Sequence, residues 1–393
     1  MISRKSVLFV NGHLLVGGVE KALVDLLSWI DYDKYEVDLL LLEGEGDYRD
    51  LVPEQVRVLH KDMRQIEGPF WKNLWKNLKS GNLGNVYYRI INSSAKNHKK
   101  CLRFARPLLP IKKHYDVAIA FRHGHPAEIV AYILDADMKV CWWHHGSLPD
   151  SVHKKRELTS LFNCLDKVVT VSAGCKTLLS TSLHLNPKDV VVIPNIIDSE
   201  RINALAQGDD PYGDDNRYRI VSLSRFAPEK HLEEAVEAAS MLVGKLDFVW
   251  YMIGDGTEFE MVKARVAELG LIGRVILPGC IANPYPYLKH SDLMVHPSHV
   301  ESLCISVLEA MTLRLPCVVV QSLGPESFIE NKANGFLISK GPEAICHNIL
   351  RISEFTVEQL DAIKLRAVKT VDTYFSPKAV IPVFERFIEE CHE

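Results

Sequence analysis

Two glutamates, Glu301 and Glu309, flank the uncharged run SLCISVL inside HPSHVESLCISVLEAM. An ionised carboxylate only accepts hydrogen bonds, so this pair suits sugar hydroxyls and is useless for phosphate. The apolar strand LMVHP ends at Pro297, the loop SHVES follows, and a helix is expected from near Ser302 to about Leu313. The backbone N–H groups of Ser302, Leu303 and Cys304 would then be the unpaired donors of a helix N-terminus, which favour an anion such as phosphate. Glu309 lies about two turns further in and roughly 80° around the helix from Glu301. The competing reading makes Glu301 a charge suited to the helix dipole and Glu309 a solvated face residue.

Three more stretches bear on the choice. SLSRFAPEK puts Arg225 just after a strand and Lys230 five residues on, around Pro228. Arginine offers a planar fork of donors and lysine a point charge, a pair matched to a diphosphate. Two isolated surface cations are the alternative. YMIGDGTEF ends a strand in Gly254, Asp255 and Gly256, which is either a ligand approach or a plain turn. NGHLLVGGVEKAL sets Gly17 and Gly18 between the first strand and the first helix, where a phosphate-binding turn would lie, although G-x-G-x-x-G is incomplete.

Taken in order, G-G-V-E, R-x-x-x-x-K, G-D-G and E-x7-E resemble the retaining GT-B glycosyltransferases that use nucleotide-sugar donors, often called family 4. The resemblance runs from VGGVEKAL through VVVIPNIID to the closing helix. It implies a GT-B fold, two Rossmann-like domains facing a central cleft. Glu301 would hold donor-sugar hydroxyls, with Ser302, Leu303 and Cys304 offering backbone donors, and Glu309 would hold the nucleotide ribose. Arg225 and Lys230 would neutralise the departing diphosphate, a form of electrostatic catalysis. Gly17 and Gly18 would let the N-terminal domain close over it, with Gly254 and Asn195 near the cleft. His144, in KVCWWHHGSLPD, lines up with the family's cleft histidine, close to the sugar being transferred; the alternative is a structural histidine at a strand end. One departure is plain: the first glutamate is usually followed by glycine, as E-G-F-G. Here Ser302 and Cys304 narrow the sugar pocket or alter its loop.

The same resemblance implies transfer on one face of the sugar, with the leaving phosphate helping to take the acceptor proton. Neither a protein nucleophile nor a metal is then required, and the nucleotide-sugar, with UDP as the expected base, is a substrate. A zinc site from His123, His125, His144 and His145 is disfavoured because adjacent strand residues point to opposite faces. Asp135-Ala136-Asp137 has the form of a metal-binding D-x-D but sits at the amino end of a strand, away from the cleft, and reads as a solvated turn. Other readings are a nucleotide-sugar epimerase on the same fold, and a silent subunit that binds an acceptor or stabilises a partner transferase. Retention of His144, Arg225, Lys230, Glu301 and Glu309 together argues against the silent subunit.

The elements that must position these residues follow an α/β rhythm. Short β-branched runs (SVLFVN, EVDLLLLE, DVAIAF, KVVTVS, VVVIPN) alternate with longer amphipathic stretches, which is how buried parallel strands and covering helices read. After the turn-rich ALAQGDDPYGDDNRYR the alternation restarts with IVSLSR. Expected domains are residues 1–198 for the acceptor and 199–375 for the donor, with 376–393 a helix crossing back to the first domain.

With 47% hydrophobic and 24% charged residues the chain is globular in composition. The run VLFV in MISRKSVLFVNGH is too short for a signal-peptide core, and no apolar run approaches the roughly 20 residues of a membrane span. Nine cysteines without a C-x-x-C pair imply reduced thiols and a cytosolic setting. The net charge of −4 hides a basic segment, residues 61–113, whose many cations face only Asp62 and Glu67. There FWKNLWKNLK spaces Trp71, Leu74, Trp75 and Leu78 along one helical stripe, with Lys72, Lys76 and Lys79 elsewhere around it. Such a helix either lies on the inner face of an anionic membrane or covers the domain's sheet. The segment fits an anionic glycan acceptor or a lipid-linked, phosphate-bearing one, as in bacterial surface polysaccharide assembly. Nucleic acid is excluded as a partner by the acidic whole and the lack of any motif.

Overall fold

The computed structural model describes residues 4–44, 46–61, 70–81, 83, 86, 106 and 109–390. The apolar runs become two parallel sheets. The first contains β1 (Lys5–Asn11), β2 (Tyr35–Leu41), β3 (Arg57–His60), β4 (Tyr115–Ala120), β5 (Ala136–Trp143), β6 (Lys167–Thr170) and β7 (Val190–Val192), in the spatial order β3-β2-β1-β4-β5-β6-β7. The second contains β8 (Tyr218–Leu223), β9 (Phe248–Ile253), β10 (Val275–Gly279), β11 (Leu293–His296), β12 (Cys317–Val320) and β13 (Phe336–Ile338), ordered β10-β9-β8-β11-β12-β13.

Each order reverses direction once, at β1/β4 in the first sheet and at β8/β11 in the second. Ligand crevices form beyond the carboxyl ends of strands at such switch points. The segments leaving those four strands carry Gly17 and Gly18, Arg122 and His123, Arg225, and Glu301. The topology therefore gathers the candidate residues before any side chain is considered.

The stretch between the sheets is more structured than its turn-rich sequence suggests. Helix Ser199–Leu205 is capped by Asp198, whose side chain accepts from the Arg201 N–H, and it packs on helices Tyr285–Lys289 and Ile305–Thr312. Asp210 then pairs with Arg219 at 2.8 Å, and Asp215 with Arg217 at 2.7 Å. At the other end, helix Pro377–Glu389 returns to the first sheet. Its Phe384 ring stacks on Phe9 and on Trp142, Glu385 pairs with Lys34 at 2.9 Å, and Lys5 donates to the Ile388 carbonyl.

Helix Phe70–Lys79 forms where the stripe predicts it, but Trp71, Trp75 and Leu78 are exposed. Its apolar stripe does not lie buried against the sheet. The rest of the basic segment falls largely outside the described residues. Asp135 and Asp137 stand at the amino end of β5, paired with Arg106 and His114.

Candidate active site

Glu301 follows β11 in a tight loop and is buried. Its Oε1 receives two donors: Lys230 Nζ at 2.6 Å and His296 Nε2 at 2.7 Å. Oε2 accepts no hydrogen bond from the described residues. Burial alone would raise the Glu301 pKa, but the His296 hydrogen bond and charge, followed by Lys230, outweigh it and hold the carboxyl at about 2. Burial likewise pulls His296 down, while Cys304 and Glu301 beside it push it up to about 9. The result is a fixed anion held on one side by two cations and open on the other.

Glu309 is arranged the same way. Tyr285 donates its hydroxyl to Oε1 at 2.9 Å, and Lys21 Nζ lies 3.2 Å from the same oxygen. Lys21 belongs to helix Gly18–Leu27 of the first sheet's layer, so this ion pair crosses the cleft. Lys21 also binds Asp25 at 2.8 Å, and Asp25 binds Arg201 at 3.2 Å. Burial opposes the charge on Lys21, yet Glu309 and Asp25 lift its pKa above the ordinary value.

The expected helix start needs correction. The helix runs Ile305–Thr312, and Cys304, its N-cap, has φ 75° and ψ 70°. A residue in the left-handed region cannot belong to the helix, so the first free N–H groups are those of Ile305 and Ser306. Ser302 instead donates its hydroxyl to the His144 carbonyl at 2.8 Å, and Leu303 is buried against Gly324. The 80° separation of the two glutamates no longer applies, because Glu301 stands outside the helix.

Gly17 caps helix Gly18–Leu27, and a Cβ built on Gly18 would meet the Ile305 side chain at 4.0 Å. Two helix N-termini, one per layer, thus face each other. Arg225 and Lys230 have different acidic partners: Arg225 is exposed and pairs with Glu229 at 2.7 Å, whereas Lys230 is on Glu301. Gly254, at φ 141°, presses against the Ser224 carbonyl, so its glycine is needed for the packing of two strand-end loops. Asn195 is buried beside a cavity of about 10 Å³ lined by Ala22, Phe121 and Trp142. That volume is about one water molecule, and the Trp142 indole N–H beside it has no partner among the described residues.

His144 packs between Phe121, 4.8 Å between ring centres, and Trp142, parallel within 4° at 6.1 Å. His145 takes the opposite face, against Trp143 and edge-on to His123 at 4.4 Å, so the histidines do not converge on one ion. Burial, then the charges of His145 and Arg122, lowers the His144 pKa to about 3, leaving it neutral.

Two further clusters contain cation-ligand types among the described residues: His296, Glu301 and Cys304, and His231, Glu234 and His299. In the first, Lys230 already occupies the shared carboxylate oxygen. In the second, the two imidazoles are stacked at 3.5 Å and 17°, so their in-plane lone pairs run parallel instead of meeting at one point.

His296, Lys21 and Tyr285 were not singled out from the sequence. A histidine closing the apolar strand LMVH, five residues before a glutamate, was a readable signal. Lys21 and Tyr285 carried none, since their partner is distant in the chain.

The model of glycosyl transferases group 1 matches residues 210–366, and that of glycosyltransferase family 4 matches residues 16–201. N-acetyl-alpha-D-glucosaminyl L-malate synthase of Bacillus anthracis is 30% identical over 232 residues, covering 57% of this chain and 61% of that protein. The UDP-Gal:alpha-D-GlcNAc-diphosphoundecaprenol alpha-1,3-galactosyltransferase of Escherichia coli is 28% identical over 184 residues, 44% of this chain and 48% of its own. The chain thus spans less than two thirds of the length of these relatives. Among solved structures, Anabaena Alr3699/HepE in complex with UDP and glucose superposes with a TM-score of 0.75 at 18% identity, over 98% of this chain and 100% of that one. The two models between them take in both sheets, and the chain belongs to the GT-B glycosyltransferases of group 1 and family 4.

Proposed function

We propose that the chain transfers a sugar from a nucleoside-diphosphate-sugar, with UDP as the base, to a hydroxyl of a glycan or lipid-linked acceptor in bacterial surface polysaccharide or glycoconjugate assembly. The observation that carries the reading is the Glu301 carboxylate, ionised and held on one oxygen by Lys230 and His296, with the other oxygen free for sugar hydroxyls. Glu309, held the same way by Tyr285 and Lys21, takes the ribose hydroxyls.

The diphosphate lies between the two facing helix N-termini, where the N–H groups of Ile305 and Ser306 and the turn at Gly17 and Gly18 meet its charge. Arg225 and Lys230 add positive charge as the leaving group departs. The acceptor oxygen bonds to the anomeric carbon on the face the phosphate leaves; the carbon–oxygen bond to phosphate breaks, its electron pair stays on the diphosphate, and a phosphate oxygen takes the acceptor proton. Configuration is retained, and no metal is required. Neutral His144, whose Nε2 has no partner among the described residues, hydrogen-bonds the sugar in this reading.

Names of the similar proteins support this: one is a glucosaminyl malate synthase, one a galactosyltransferase with a UDP-sugar donor, and a fold neighbour was solved with UDP and glucose. No helix among the described residues is long and apolar enough to cross a membrane. We place the contact with an anionic inner membrane face at the exposed Trp71, Trp75 and Leu78.

The test is thermal stability with UDP, GDP, ADP and CMP, with and without EDTA, for wild type and Glu309→Ala. A nucleotide at about 100 times its Kd should add roughly 2.7 kcal/mol. UDP should stabilise wild type equally with EDTA, and the variant should lose the effect. If no nucleoside diphosphate shifts the wild type, the transferase reading is wrong.

A further inference from the structure

The loops that leave β4 and β5 place Arg122, His123 and His145 together on the first-sheet side of the cleft, with His144 on the other face of its loop. The His123 and His145 rings meet edge-on at 4.4 Å, and the charge of Arg122 acts on His123, His144 and His145 alike. Among the described residues the single acidic partner of Arg122 is Glu20, 3.4 Å from Nη1, and Nη2 and Nε meet no acceptor. His123 Nδ1 and His144 Nε2 are buried and also without a partner. Polar atoms left this way are costly unless something else fills the place.

The cluster touches the donor-sugar site directly. A Cβ built on Gly146, next to His145, would lie 2.5 Å from the Glu301 backbone, and Ser302 holds the His144 carbonyl. Whatever occupies the cluster therefore sits beside the sugar to be transferred, where an acceptor must be. A neutral polyol would not need a guanidinium there. Arginine's fork fits the paired oxygens of a carboxylate or a phosphate. Burial, then His145 and Arg122, depresses the His123 pKa to about 4, and burial lowers His145 as well, so neutral imidazoles add hydrogen-bond donors without repelling one another.

We propose that the acceptor carries an anionic group, carboxylate or phosphate, close to its reactive hydroxyl, and that the free guanidinium nitrogens of Arg122, with His123 and His145, hold that group against the donor sugar. The proposal deepens the transfer reading and rests on it.

Histidine Cε1–H resonances of the whole protein, saturated with UDP, would be followed while inorganic phosphate or methyl phosphate is added, with glycerol as the neutral control. The His123 and His145 signals, assigned by His123→Gln and His145→Gln, should move saturably with either anion and stay still with glycerol. Arg122→Gln should weaken the anion about tenfold while leaving the UDP thermal shift unchanged. Methyl phosphate binding as well as free phosphate means that a substituted phosphate is accepted, as an acceptor's would be. The proposal is overturned if neither signal moves, if Arg122→Gln binds phosphate as wild type does, or if UDP removes the phosphate response, which would put the anion in the diphosphate site. A failed UDP shift with an intact phosphate response would instead sink the transfer reading alone.

Discussion

At the scale of the residue, the two glutamates were legible because carboxylates at fixed spacing after an apolar strand have few uses. Their restraint was not legible. His296 comes before Glu301 by five residues, yet only the turn at Pro297 brings its Nε2 to 2.7 Å. The pair has a readable pH signature. Glu301 is lowered from 4.5 to about 2, so its contribution is complete above about pH 4.5 and is lost as pH falls towards 2. His296 is raised from 6.5 to about 9, so its contribution is complete below about pH 6.5 and is lost as pH rises through 9. Calorimetric affinity for the UDP-sugar should hold from about pH 5 to 8 and fall above 9. In His296→Gln that alkaline limb should disappear. A variant that keeps the wild-type limb would remove His296 from the role assigned to it. Glu301→Gln keeps the shape but loses the charge, and kcat should fall by about 10²–10³ in a transfer assay, the usual effect of removing one aimed electrostatic group.

At the scale of the element, strands were the easiest part to read, because strands covered on both faces are nearly uniform apolar runs. Loops were the hardest. The expected helix start at Ser302 failed at Cys304, whose left-handed backbone is a choice that few side chains advertise; residues such as cysteine usually pay about 1–2 kcal/mol for it. The close approach of the loop after β5 to the loop after β11 was equally hidden. Gly146 is what permits it, since any Cβ there would strike the Glu301 backbone. Gly146→Ala should therefore push the two loops apart and reduce transfer by at least about tenfold, as small misplacements at a reacting centre do. Neither sheet's core is touched, so the melting temperature should change by only a few degrees. Circular dichroism melting beside a transfer assay checks both halves, and full activity in the variant would show that the loops can part without consequence.

At the scale of the whole molecule, the sequence announced two α/β units and a returning helix, but not what that helix grips. Phe384 is fully buried, stacked between Phe9 of β1 and Trp142 of β5, and Trp142 in turn lies parallel to His144. A segment that follows the second sheet in the chain thus supports the cleft face of the first. Phe384→Ala should cost about 3–5 kcal/mol, the range for removing a buried aromatic ring. The loss should be local to one layer. Hydrogen exchange should quicken in β1 and β5 and around His144, while β8 and β11, which belong to the other sheet, keep their protection and UDP still stabilises the second sheet. Exchange that rises equally in both sheets would mean that the layers open as one cooperative unit, with the ion pair between Lys21 and Glu309 rather than the crossing helix setting the connection between them.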